Sequence, residues 1–244
     1  IRFEHEAANN LWQADFKGYF STTKERCYPL TILDDHSRFS ICLEACENEK
    51  RETVEAKFKQ AFKRYGLPER FNFDNGSPWG NSRGGGGITK LAAWLILLGI
   101  KVSYSRPHHP QTNGKDERFH RSLKTELLNH QIFYDLNMAQ KRFNAWRKLY
   151  NEERPHEALG MAVPIERYQP STREYTDRLP SIEYGLSDIV RCVDGKGYIR
   201  FKAMKIFISE GLKGFPVALR PMDEDAYDVY FCHHKVKEIE LISC

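Results

Sequence analysis

Apolar residues recur along this chain with two periods. Asn10–Phe20 (NLWQADFKGYF) alternates roughly and is rich in aromatic residues, as a strand is. Leu30–Leu33 and Phe39–Ala45 read as two further strands. The turn DDHSR between them makes a three-stranded antiparallel meander, with Asp34, Asp35 and Ser37 as turn formers. From Thr53 to Tyr65 the period becomes helical, with Val54, Phe58, Ala61, Phe62 and Tyr65 on one face. Gly66 stops that helix and Pro68 follows. Arg70–Phe73 is a short strand ending in Asp74-Asn75-Gly76, which is also a good turn sequence. A helix between an antiparallel hairpin and a new strand favours a mixed sheet, the new strand parallel to its neighbour.

After SPWGNSRGGGG the pattern predicts a helix over Ile88–Leu98 and a fifth strand over Lys101–Ser105. The Gly84–Gly87 run lacks the lysine of a phosphate loop and reads as a connection. Pro107–Leu128 opens as a polar loop and becomes a helix. Phe119, Leu123 and Leu127 form its apolar stripe; Glu117, Arg121 and Lys124 lie on the stripe beside it. A basic, aromatic helix over Leu136–Tyr150 carries Phe143, Trp146 and Tyr150 on one side. Arg154–Pro170 is a wrapping tail. The expected domains are therefore 1–170, a polar linker over 171–181, and a small all-β domain over 182–244 built from evenly spaced short strands.

Composition narrows the setting. With 244 residues, 41% of them hydrophobic, the chain can bury one large core or two smaller ones. No run approaches the roughly 18 apolar residues of a membrane span, and the start at Ile1 has no signal-peptide pattern. A soluble, cytoplasmic, nucleoid-associated protein without an organic cofactor is expected, and Ile1 in place of Met suggests a piece of a longer chain. The six cysteines show no C-x-x-C pair or zinc spacing, which fits reduced, structural thiols. Net charge is only +4, but 11 basic residues against 6 acidic lie between Lys101 and Arg154. From Ser171 onward the balance is 11 against 12. The basic excess surrounds the Glu117 helix, where a nucleic-acid footprint is expected.

Three acids stand apart from the solvated majority. Asp15 lies inside an apolar strand, at a cost of several kcal/mol unless something satisfies it. Asp74 falls at the carboxyl end of the fourth strand, where active groups gather in such sheets. Glu117 is in the first turn of a helix. If the first and fourth strands are neighbours, these carboxylates repel one another unless a cation intervenes. Hard oxygen donors favour Mg²⁺ or Mn²⁺, and two such ions about 4 Å apart serve in-line displacement at phosphorus.

WQADFKG around Asp15, FDNGSPW around Asp74 and HPQTNGKDERFHRSLKTEL around Glu117 resemble the catalytic core of DDE transposases from bacterial insertion sequences, and more distantly retroviral integrases. RPHEALGMAVPIERY is similar to the tail that follows that core. The resemblance implies a ribonuclease H-like mixed five-stranded sheet with flanking helices, followed by a small Src-homology-3-like barrel. It implies Asp15, Asp74 and Glu117 as a triad holding two Mg²⁺ or Mn²⁺. It also implies DNA 3′-end cleavage, strand transfer to target DNA, and a homodimer or higher oligomer. Arg106, His109, Gln111, Asn113, Lys115, Arg121 and Lys124 are then the DNA-facing candidates. Two departures stand out. Asp74 and Glu117 are separated by 42 intervening residues, wider than usual in the family, and Asp116 replaces a commonly apolar residue. The rival readings are a ribonuclease H-type nuclease and a non-catalytic, domesticated DNA-binding protein.

Overall fold

The structure is a computed structural model that describes residues 5–80, 87–105, 114–223 and 225–241. In chain order its first elements are β1 (Trp12–Phe16), β2 (Phe20–Ser21), β3 (Arg26–Asp34), β4 (Ser40–Cys46), α1 (Arg51–Tyr65) and β5 (Arg70–Phe73). Then come α2 (Lys90–Leu97), β6 (Lys101–Tyr104), α3 (Gly114–Glu126), α4 (Leu136–Glu152) and α5 (Pro164–Arg167). The final stretch supplies β7 (Ile189–Cys192), β8 (Tyr198–Phe201), β9 (Met204–Phe207), β10 (Pro216–Pro221), β11 (Ala226–Phe231) and β12 (His234–Glu240). Two compact units result: Ile1–Asp74 with Ser103–Thr176, and Asn75–Val102 with Asp177–Cys244. Among the described residues no helix is long and apolar enough to cross a membrane.

In the first unit the strand order is β2-β3-β1-β5-β6, with β4 on β3. The meander is antiparallel, whereas β1 and β5 run parallel, pairing Trp12 with Phe71 and Gln13 with Asn72. The single strand expected over Asn10–Phe20 is broken in two. Gly18 takes φ +84°, open to glycine but costly for other residues, and the chain bends there so that β2 pairs separately with Arg26 and Cys27. The sheet therefore has six strands rather than five.

Period-2 alternation divides the sheet into two faces. Trp12 and Phe71 face α1: Phe58 stacks on Phe71 at 5.0 Å, and Phe62 lies 6.2 Å from Trp12. Leu33 and Leu43 face the other way, into one cluster with Phe119 and Leu123 of α3 and Phe143, Trp146 and Tyr150 of α4. Asp15, two residues beyond Gln13, shares this second face. At the end of α1, Gly66 takes φ +76°, and a Cβ there would lie 2.6 Å from the Ser171 carbonyl oxygen. Helix end and tail are thus locked together.

The second unit contains a segment expected in the first domain. Thr89 caps α2 by accepting from the Ala92 amide, so the helix starts a turn-fraction later than Ile88. The Gly84–Gly86 part of the glycine run lies outside the described residues. Ser209 Oγ donates to the Ile88 carbonyl at 2.7 Å, which ties the 75–102 segment to the C-terminal strands. Those strands form an antiparallel sheet, β12-β11-β10-β7, and a β8-β9 hairpin.

The α1 face of the sheet is the first testable part. Phe58 is fully buried, and Phe58→Ala is expected to cost about 3–5 kcal/mol in urea denaturation. Gln60→Ala, exposed on the same helix, should stay within roughly 0.5 kcal/mol.

Candidate active site

Continuing the β1–β5 register by two residues sets Asp15 opposite Asp74, on adjacent parallel strands and on the same face. Neighbouring strands lie about 4.8 Å apart, so the two carboxyls are forced into each other's field. Asp15 has a side chain 34% exposed. Burial pushes its carboxyl up to about 7, with Asp74 and Glu49 adding to the rise and the Phe16 amide, which donates to Oδ1 at 2.8 Å, opposing it. Glu49 is raised as well, by burial and by Asp74. It sits just beyond β4, which runs parallel to β1 through the intervening β3, so its place at the same end of the sheet follows from topology. The sequence reading did not include it; the parallel-strand rule applied to the end of β4 would have.

His120 was also missed. It lies one turn after Asp116 on α3, and its Nε2 meets Thr31 Oγ1 at 2.9 Å while Thr31 donates to the Asp15 carbonyl at 2.9 Å. The hydroxyl has one proton, so the imidazole donates through Nε2 and turns an unprotonated Nδ1 toward Asp15 Oδ2, 4.0 Å away. Burial, helped by the Lys17 ammonium, holds His120 down at about 4. It is neutral near pH 7, and this close approach is not an ion pair. Lys17 is itself lowered by burial and by Lys124. Two cations therefore flank His120, a basic fringe on the side of Asp15 toward the end of β1.

Glu117 is exposed in the first turn of α3 and shares a surface groove with Arg118, Arg121 and Ser122. Its neighbour Asp116 is the buried one. It occupies position i−3 from Phe119 on the apolar stripe, is 6% exposed, and its Oδ1 has no hydrogen-bond partner among the described residues. Burial drives its carboxyl well up, with Asp15 and Asp35 contributing and Lys115 opposing. The sequence marks Asp116 as standing in place of a commonly apolar residue, and extending the Phe119 stripe backward by three residues accounts for its burial. Lys115, expected to face DNA, holds Asp35 Oδ1 at 2.5 Å and is largely buried. Arg121 and Lys124 are exposed. Arg106, His109, Gln111 and Asn113 lie outside the described residues. Asp34, at the end of β3, accepts from the Asn9 and Ser37 amides and the Ser37 hydroxyl, the turn-forming role read from the sequence.

Among the described residues, no three His, Cys, Asp or Glu side chains already stand as a metal-holding cluster. The acids are linked instead through their fields. A carboxyl held up to about 7 beside a second acid is the donor chemistry that a hard divalent cation satisfies, since it removes the repulsion that raises the carboxyl.

Two models described as integrase core domain match residues 5–110 and 98–164, spanning the sheet, α3 and the tail. The chain carries an integrase core. A third model, the C-terminal domain of IS481 family transposases, matches residues 188–243. A protein of insertion element IS407 from Burkholderia multivorans is 28% identical over 160 residues, 66% of this chain and 55% of that protein. The transposase of insertion sequence IS904 from Lactococcus lactis is 28% identical over 171 residues, 68% of this chain and 64% of that protein. The chain spans about half the length of relatives such as the IS407 protein. The integrase catalytic core of HTLV-2, solved in complex with magnesium, superposes with a TM-score of 0.50 at 17% identity, covering 68% of this chain and 100% of that one. The integrase core thus has the ribonuclease H-like mixed sheet with flanking helices, and a separate all-β domain follows it.

The raised Asp15 carboxyl gives the integrase core a pH signature. Its ordinary value is 3.8 and its folded value about 7, so the unfolded chain ionises first as pH rises. Stability from this group is full below about 4 and is lost on the way to 7. In chelator, Asp15→Asn should therefore melt higher than wild type at pH 8, with the gap closing as pH falls toward 4. A gap independent of pH would contradict the shift.

Proposed function

We propose that this chain is the catalytic part of a transposase that cleaves DNA 3′ ends and transfers them to target DNA, with Asp15, Asp74 and Glu117 as its metal-binding acids. The observation that supports the reading is the parallel pairing of β1 with β5, whose register, continued past Gln13 and Asn72, would set Asp15 beside Asp74 within an integrase core, in keeping with the influence of Asp74 on Asp15. Asp15 and Asp74 would hold the cation from the strands and Glu117 from α3. When bound, Mg²⁺ or Mn²⁺, two per site, would activate the attacking oxygen and stabilise the leaving one.

The residues around the acids divide the remaining work. His120 anchors α3 to β3 through Thr31 and so fixes the height of Glu117 above the sheet. Lys17, Arg121 and Lys124 offer cations to the phosphates on either side of the reacting bond, and such contacts make binding salt-dependent. Arg106, His109, Gln111 and Asn113, which precede α3 in the sequence, would extend that contact. Bridging two element ends requires at least two copies, and a dimer or higher oligomer is the assembly proposed. The HTLV-2 core, solved in complex with magnesium in a trimeric form, is in keeping with a cation-dependent, self-associating core.

Glu117→Gln removes the charge and keeps the shape. It is expected to abolish strand transfer of a pre-cleaved DNA end while DNA affinity, read by fluorescence anisotropy, changes little. Retained strand transfer would remove Glu117 from the triad.

A further inference from the structure

The tail RPHEALGM supplies none of the three acids, yet it closes a cavity of about 500 Å³ against α3 and α4. Its first residues leave α4 and fold back sharply. The Met161 amide donates to the His156 carbonyl at 2.9 Å, and Gly160 and Met161 both take left-handed backbone, φ +65° and +70°. That turn points Met161 outward, 62% exposed, at the cavity edge. The floor is aromatic: Tyr150 meets Phe119 edge-on at 4.9 Å and His156 at 4.7 Å.

The polar lining is selective. Arg38, Arg118 and Arg154 come from three different segments, and all three act on both Tyr150 and His156. His156 bonds the Tyr150 backbone through one ring nitrogen, while Nε2 is buried with no partner among the described residues. In the neutral ring that leaves Nε2 as a buried, unpaired acceptor on a residue that lines the cavity. Two of the arginines already have acidic neighbours. Arg118 meets Glu157 at 3.3 Å, with side chains 60% and 74% exposed, and Arg154 pairs with Glu126. The exposed Arg118–Glu157 pair is weak and opens readily to a competing anion.

An occupant should therefore be flat, with an N–H donor for His156, an apolar face for Met161 and Pro155, and an anionic group for the guanidiniums. A nucleotide has all three. Gly114, Arg118, Ser122 and Arg154 line both this cavity and the groove holding Glu117, so one strand can pass from one to the other.

We propose that this cavity receives one nucleotide unstacked from the bound DNA, its base against Met161 and Pro155 and hydrogen-bonded to His156 Nε2, its phosphate between Arg118 and Arg154. The inference rests on the reading of the chain as a DNA-acting core and adds a base-holding pocket to it. Extruded bases are commonly held by stacking and by hydrogen bonds to their edges.

The test is an abasic scan. A DNA duplex with a single-stranded end is bound to the chain with each base removed in turn. One position should lose affinity by roughly tenfold, within the range of a stacked base. His156→Ala should lose a similar amount on intact DNA and show no further loss at that position, the non-additivity of a shared contact. Ser122→Trp, which fills the cavity from α3, should behave likewise, and melting curves establish that both variants fold. A scan without any sensitive position, or variants as sensitive to it as wild type, would overturn the pocket while leaving DNA binding intact. No DNA binding by wild type would overturn the pocket and the functional reading together. Thymidine monophosphate alone should bind far more weakly than DNA; tight binding of the free nucleotide would point to a mononucleotide site and overturn the assignment to a DNA strand.

Discussion

The parallel pairing of β1 with β5 is the constraint on which the rest depends. It fixes Trp12 against Phe71 on one face, and α1 packs over them. On the other face the same register brings Asp15 and Asp74 side by side. Parallel strands need a crossover, and α1 is that crossover, so the buried phenylalanines of α1 and the two half-buried acids at the strand ends are consequences of one topology. The fold gives apolar burial on one face and accepts like-charge repulsion on the other.

That repulsion is structured. Asp15 is raised by Asp74 and Glu49, and Asp116 by Asp15 and Asp35. Lys115 is held by Asp35, so the cation nearest in sequence to Asp116 is committed to the β3–β4 turn. His120 is neutral and Lys17 is crowded by Lys124. Carboxyl groups thus collect over the middle of the sheet, held toward their protonated forms, and cations at its fringe. A divalent cation between the acids and a phosphate backbone along the fringe would meet both halves of this distribution.

Much of this was legible in the chain. The 3.6-residue period of Val54, Phe58, Ala61, Phe62 and Tyr65 placed α1, and the acid inside WQADF marked β1 as unusual before any partner was known. What could not be read was three-dimensional. Gly18 splits the first strand because its backbone turns left-handed, which no hydrophobic pattern records. The 75–102 segment joins the C-terminal strands through Ser209 and Ile88, residues 121 positions apart. Lys115 pairs with Asp35 across 80 positions. Asp116 stood out in the sequence as an acid at a commonly apolar position, and its place on the Phe119 stripe gives the reason for its burial. His156 and its cavity depend on a tail folding back, and the tail's motif carries no such information.

The most direct test of the account is a calorimetric Mg²⁺ titration of the chain beside Asp74→Asn. If Asp15 and Asp74 form one cation site, wild type should give saturable heat that is lost in the variant, with both proteins folded by circular dichroism. Equal binding by Asp74→Asn and wild type would contradict it, because the cation would then sit somewhere other than between β1 and β5.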